Sequence, residues 1–161
     1  MNKMTTTEME VYLARFFKFA SNLIVPNISW GLNLHECDLL ILTDSGYATE
    51  VEIKISKSDL KKDKEKLHEH SSSRIKKFYF AIPETIIPIE FALEHIPERA
   101  GLIVVNSKGS CVIKRECIPI KNPEKFNERD RLKMARLGAL RIWNLKEKVI
   151  KLRKENKLLK K

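Results

Sequence analysis

The chain has 161 residues, 43% of them hydrophobic and 32% charged, a size and balance that suit one soluble globular domain able to bury its own core. No apolar run reaches the roughly 18 residues that a membrane span needs, and the N-terminus lacks the basic start and apolar stretch of a secretory signal, so the expected setting is the cytoplasm, away from membranes. Cys37, Cys111 and Cys117 are an odd count without C-x-x-C spacing, which argues against a disulfide framework or a zinc ribbon and for reduced, structural thiols. The net charge of +10 is localised: residues 1–120 hold 16 basic and 16 acidic side chains, whereas 121–161 hold 15 and 5. The expected organisation is therefore a near-neutral body, 1–120, and a basic segment, 121–161, suited to phosphate backbones.

In chain order, Thr5, Thr6 and Thr7 offer an N-cap, and Met9, Tyr12, Leu13, Phe16, Phe17, Ala20, Leu23 and Ile24 recur at helical spacing, predicting an amphipathic helix that ends at Pro26 and Asn27. A first strand is expected over 28–34. An apolar, β-rich run over 37–43 and an alternating run over 47–55 flank Asp44, Ser45 and Gly46, the signature of a hairpin with glycine at the positive-φ position. Ser58 or Ser56 then caps a polar helix over 59–69, 71–73 is a loop, and 77–82 (KFYFAI) reads as a buried strand closed by Pro83. A short helix over 88–96 follows, then a hairpin of 102–105 and 111–114 around Asn106 and Gly109.

From about Pro123 one long helical pattern runs to the end. Ile142, Leu145, Val149, Leu152, Asn156 and Leu159 fall on alternating a and d heptad positions, so a homodimer through this helix is one expectation. The other is that 135–145 packs on the body and the lysine-rich end frays.

Chemistry concentrates in 36–63, ECDLLILTDSGYATEVEIKISKSDLKKD. A hairpin centred on Ser45 sets Asp38 opposite Glu52, with β-carbons about 5 Å apart, and Lys54 shares the face of Glu52. Two carboxylates that close repel unless a divalent cation lies between them. Mg²⁺ or Mn²⁺ suits such oxygen ligands, and the carbonyl of Ile53 is a candidate third. A metal there would activate water and neutralise a phosphate while Lys54 positions the water or stabilises the transition state, the requirements of phosphodiester hydrolysis. Glu36 is a further candidate ligand, and Glu50 a weaker one. Glu8 or Glu10 on the first helix is a candidate extra acid, although charges in a first helical turn commonly serve the helix dipole. Asp59 and Asp63 are expected to pair with neighbouring lysines.

Lys57, Lys61, Lys62, Arg74 and Lys76 flank this face and are expected to hold DNA phosphates without reading bases. His35, His68 and His70 have no recognised zinc spacing and are expected at the surface or facing DNA.

An acid at Asp38, thirteen intervening residues, then Glu52-Ile53-Lys54, with a helix before and a helix and core strand after, resembles the PD-(D/E)XK nuclease superfamily. Cys37 stands where that family often has proline. The runs ISKSDLKKD, KKFYFAIPE and AGLIVV are similar to its MmcB-like, DNA-repair-associated branch and to related phage proteins, over about residues 8–115. The resemblance implies an α/β, restriction-endonuclease-like core in αβββαβ order, a mixed central sheet flanked by helices, here followed by a long basic helix. It also implies a Mg²⁺-dependent deoxyribonuclease of repair or phage DNA processing. The alternatives are a catalytically silent scaffold that binds DNA or a partner, and a dimeric assembly protein.

Overall fold

The computed structural model describes residues 4–28, 31–64 and 72–159. Its elements run α1 (Thr6–Phe16), β1 (Leu23–Ile28), β2 (Cys37–Leu42), β3 (Ala48–Ile53), α2 (Lys57–Lys64), β4 (Ile75–Pro83), α3 (Ile89–His95), β5 (Gly101–Val105), β6 (Cys111–Arg115) and α4 (Glu128–Leu159). The six strands form one mixed sheet in the order β1-β2-β3-β4-β5-β6. The β3–β4 and β4–β5 pairs are parallel and the other three antiparallel.

α1 begins in a capping box: the Thr5 hydroxyl accepts from the Glu8 backbone N–H, and the Glu8 carboxylate accepts from that of Thr5. It stops ten residues short of Pro26. Lys18 adopts φ 57° and the Phe19 N–H returns to the Ala14 carbonyl, closing the helix at its C-terminus. The expected first strand at 28–34 is instead β1, and it contains Leu23, Ile24 and Pro26. Leu23 and Ile24 satisfy helical spacing and strand composition equally, and burial against β2 decides for the strand. β1 is an edge strand, where a proline is tolerated.

The β2–β3 hairpin has the register read from its turn: Leu39 pairs with Val51, Leu40 with Glu50, Ile41 with Thr49 and Leu42 with Ala48. Gly46 takes φ 83° in the three-residue loop. α2 is capped by Ser56, whose hydroxyl accepts from the Asp59 N–H. The later part of the expected helix, with His68 and His70, lies outside the described residues. The β4, α3, β5 and β6 elements fall where the sequence places them, within two residues at each end.

Two apolar clusters cover the two sheet faces. On one, Met9 and Leu13 of α1 pack on Leu39, Ile41, Val51 and Ile53. On the other, Leu60 of α2, Ala92 of α3, and Met134 and Leu137 of α4 cover Leu40, Leu42, Phe78 and Phe80. Both crossover helices lie on this second face, as successive crossovers of one hand stepping in one direction require.

The basic segment is not separate from the body. Phe126, Met134 and Leu137 are buried in the body's larger core. The Phe126 N–H donates to Gly46 O at 2.9 Å, and Arg131 donates to the carbonyls of Thr43 and Asp44. A β-carbon on Gly138 would lie 3.3 Å from Val25 Cγ2, so the glycine lets α4 close on β1. Beyond it, Ile142, Leu145, Val149 and Leu152 are exposed. Among the described residues no helix is long and apolar enough to cross a membrane.

Candidate metal and phosphodiester site

Beyond the Leu39–Val51 pair, β2 and β3 are tied together by side chains. Asp38 Oδ2 accepts from the Ile53 backbone N–H at 2.8 Å, and Glu52 Oε1 accepts from that of Asp38 at 3.3 Å. Each carboxylate thus fixes the opposite strand, and the two acids meet where the hairpin places them. Lys54 follows immediately. Its backbone N–H donates to Ala81 O of β4, and its ammonium donates to Glu52 Oε2 at 3.1 Å while lying 6.0 Å from the Phe80 ring centroid.

Glu52 and Lys54 are both nearly buried and Asp38 partly so. Burial, and then the charge of Asp38, push the Glu52 carboxyl up to about 7. Burial also raises Asp38, against the opposing pull of the Ile53 N–H and of Lys54. Among the described residues the nearly buried Lys54 ammonium bonds to the nearly buried Glu52, with the partly buried Asp38 beside them.

The other acids separate. Glu50 is fully buried and both its oxygens lie 2.8–2.9 Å from His35 Nε2, so His35 is a core partner and not a surface histidine. Glu36, the favoured extra ligand, is exposed. Glu8 is spent on the helix cap. Glu10 bonds to the edge strand: Asn27 donates to its Oε1 at 3.1 Å, and its carboxyl is raised by burial and, more weakly, by Asp38. Among the described residues no three His, Cys, Asp or Glu side chains gather at metal-ligand spacing. Asp38 and Glu52 are the two acids held against each other, with the Ile53 N–H bonded to Asp38.

The basic residues also divide. Lys57 and Lys61 stand over the Phe91 ring at 5.2 and 5.6 Å, on the helix that directly follows Lys54, and Lys62 beside them is exposed. Arg74 is no phosphate contact. It is buried, donates to Leu32 O and Asp130, and stacks 4.0 Å over the Phe126 ring. Lys76 lies 3.8 Å over the Tyr47 ring, shared with Lys125. Because β3 and β4 run parallel with Thr49 beside Lys77 and Glu52 beside Phe80, Arg74 and Lys76 sit at the hairpin-loop end of the sheet, away from Glu52 and Lys54. Sequence alone does not show that a cation at 74 meets an acid 56 residues later.

No family model matches the chain, and no curated protein does. A solved structure of a protein of unknown function from Silicibacter pomeroyi is similar in fold, with a TM-score of 0.62 at 16% identity, over 92% of this chain and 93% of its own. Coverage so complete extends the shared fold into the basic segment.

Proposed function

We propose that the chain is a metal-dependent nuclease with a PD-(D/E)XK-type centre acting on DNA phosphodiesters. The observation that carries this reading is the buried triad: two carboxylates interlocked across β2 and β3, with one ammonium bonded to the second. Asp38, Glu52 and the Ile53 carbonyl would hold Mg²⁺ or Mn²⁺. The ion, when bound, would acidify water and neutralise phosphate charge.

The protein's own contribution is positioning. Glu52 holds the Lys54 ammonium beside the carboxylates, where it orients the attacking water or donates to a phosphate oxygen as negative charge builds there. The water oxygen bonds to phosphorus as one P–O ester bond breaks. Glu10 adds a carboxylate beside Asp38, and Lys57, Lys61 and Lys62 supply cations on the adjoining helix.

The test is cleavage of single-stranded, duplex and branched DNA, and of RNA, with Mg²⁺ or Mn²⁺. Asp38→Ala and Lys54→Ala should each lower the rate by about a hundredfold or more while keeping the native circular dichroism. Folded wild-type protein that cuts none of these, or cutting unchanged by Lys54→Ala, would overturn the reading. The exposed apolar residues of α4 favour a second one, a scaffold that binds DNA or a partner without turnover. In that case removal of the chain after Glu147 abolishes binding and Lys54→Ala changes nothing.

A further inference from the structure

A cleft of about 1090 Å³ lies between α1, the edge strand β1 and the exposed half of α4. It is larger than a drug-sized ligand fills. Its two walls differ in chemistry. Arg141, Lys148 and Lys151 of α4 line one side, with Glu147 as the acid among them. Val11 and Phe19, 45% and 61% exposed, line the other. Glu10 and Glu36 are also in the lining, and Leu39, the neighbour of Asp38, lies in it too. Asp38, Glu52 and Lys54 are not in the lining, and the cleft comes to within one residue of Asp38 at Leu39.

The walls are tied to each other by a chain of bonds. Arg141 donates to Asn27 O at 2.6 Å, and the Asn27 side chain donates to Glu10. α4, β1 and α1 are consequently linked across the cleft.

We infer that this cleft is the groove for an unpaired nucleic-acid strand, with its phosphates on Arg141, Lys148 and Lys151 and its base faces on Phe19 and Val11, leading the backbone to the Asp38–Glu52 pair; this rests on the nuclease reading of that pair. The α4 wall, with three cations to the one carboxylate of Glu147, favours a polyanion, while Glu10 and Glu36 put carboxylates elsewhere in the lining. The exposed aromatic and apolar wall selects one whose bases are unstacked, because a duplex keeps those faces inside. An acidic peptide would satisfy α4 but would gain less from the ring of Phe19.

The experiment is fluorescence anisotropy of the full chain with a labelled single-stranded oligonucleotide in EDTA, competed by the matching duplex and by polyglutamate, together with a cleavage assay of the same variants. Single strand should compete best. Phe19→Ala should weaken binding about tenfold. Lys148→Gln with Lys151→Gln should lower the slope of log affinity against log salt by about 1.4, the value for two single-strand phosphate contacts. Lys154→Gln with Lys157→Gln, on α4 but outside the cleft lining, should leave it unchanged.

Equal losses in both lysine pairs, duplex binding as well as single strand, or preference for polyglutamate would each overturn the groove. Asp38→Ala separates the two proposals. Strand binding with the expected pattern but no cleavage by wild type defeats the nuclease and leaves the groove standing. Cleavage lost in Asp38→Ala but indifferent to Phe19 and Lys148 does the reverse.

Discussion

Glu52 stores an electrostatic conflict that pH makes measurable. In the unfolded chain a glutamate ionises near its ordinary value of 4.5, whereas in the fold Glu52 keeps its proton up to about 7, through burial first and Asp38 second. Between those values the unfolded state binds fewer protons than the native one, so stability falls as pH rises through the window and levels off above it. Thermal melts in metal-free buffer should show Tm declining over that range, with each kcal/mol worth about 2–4 °C. Glu52→Gln should flatten the decline. At pH above the window, Mn²⁺ should raise the Tm of wild type and leave Asp38→Ala unmoved; no rise in wild type would count against a cation at this pair.

The position of this pair was readable from the turn alone. Asp44, Ser45 and Gly46 fixed the pairing centre, the register holds as far as Leu39 and Val51, and one step on Asp38 and Glu52 meet through side-chain bonds. Which other acids join them was not readable. Glu36 and Glu50 have the same two-residue spacing from the motif acids, yet one is exposed and the other wholly buried on His35. That difference arises from how 31–36 folds back on the sheet, and no local pattern encodes it.

At the scale of elements, the hairpin and α4 are built around each other. Gly46 needs its positive φ, and a β-carbon there would lie 2.9 Å from the backbone oxygen of Phe126. Gly46→Ala should therefore cost about 1–2 kcal/mol for the left-handed conformation and a further amount for displacing the root of α4, read as a lower urea midpoint. A loss below about 0.5 kcal/mol would show that the loop and α4 yield independently.

The first helix was the element read least well. Its apolar repeat continues at the right spacing through Leu23 and Ile24, and only pairing with β2 shows that these two belong to a strand. The heptad on α4 is a related case. Its apolar stripe is real and exposed, but Arg141 and Lys148 flank one side of it and Lys146 and Arg153 the other. Two copies in register would set like charges together, which costs what a coiled coil normally gains at those positions.

Across the whole molecule, the composition boundary at residue 120 and the structural one do not coincide. Charge changes at 121, but the core continues through Phe126, Met134 and Leu137. Buried large apolar side chains are worth about 1.5–3 kcal/mol each, and loss of Glu124 and Asp130 would leave the buried Arg74 without its acidic partners, a further cost of about 3–5 kcal/mol. Together these rival the whole stability of an ordinary domain, about 5–15 kcal/mol. A chain ending at 120 should show no cooperative urea transition, while one ending at 147 should unfold as cooperatively as the full protein. The reverse result, a folded 1–120 fragment, would restore the boundary that composition suggests.

The bond from Arg131 to the carbonyl of Thr43 joins residues 88 apart, and this has a meaning for synthesis. A ribosome adds about 5–20 residues each second, so the β2–β3 hairpin leaves the exit tunnel seconds before the helix that roofs it. Until Leu137 has emerged, the larger apolar face of the sheet is covered by α2 and α3 alone, and the part that Met134 and Leu137 bury stays open. The nascent chain is then at its most vulnerable to chaperone capture and to aggregation.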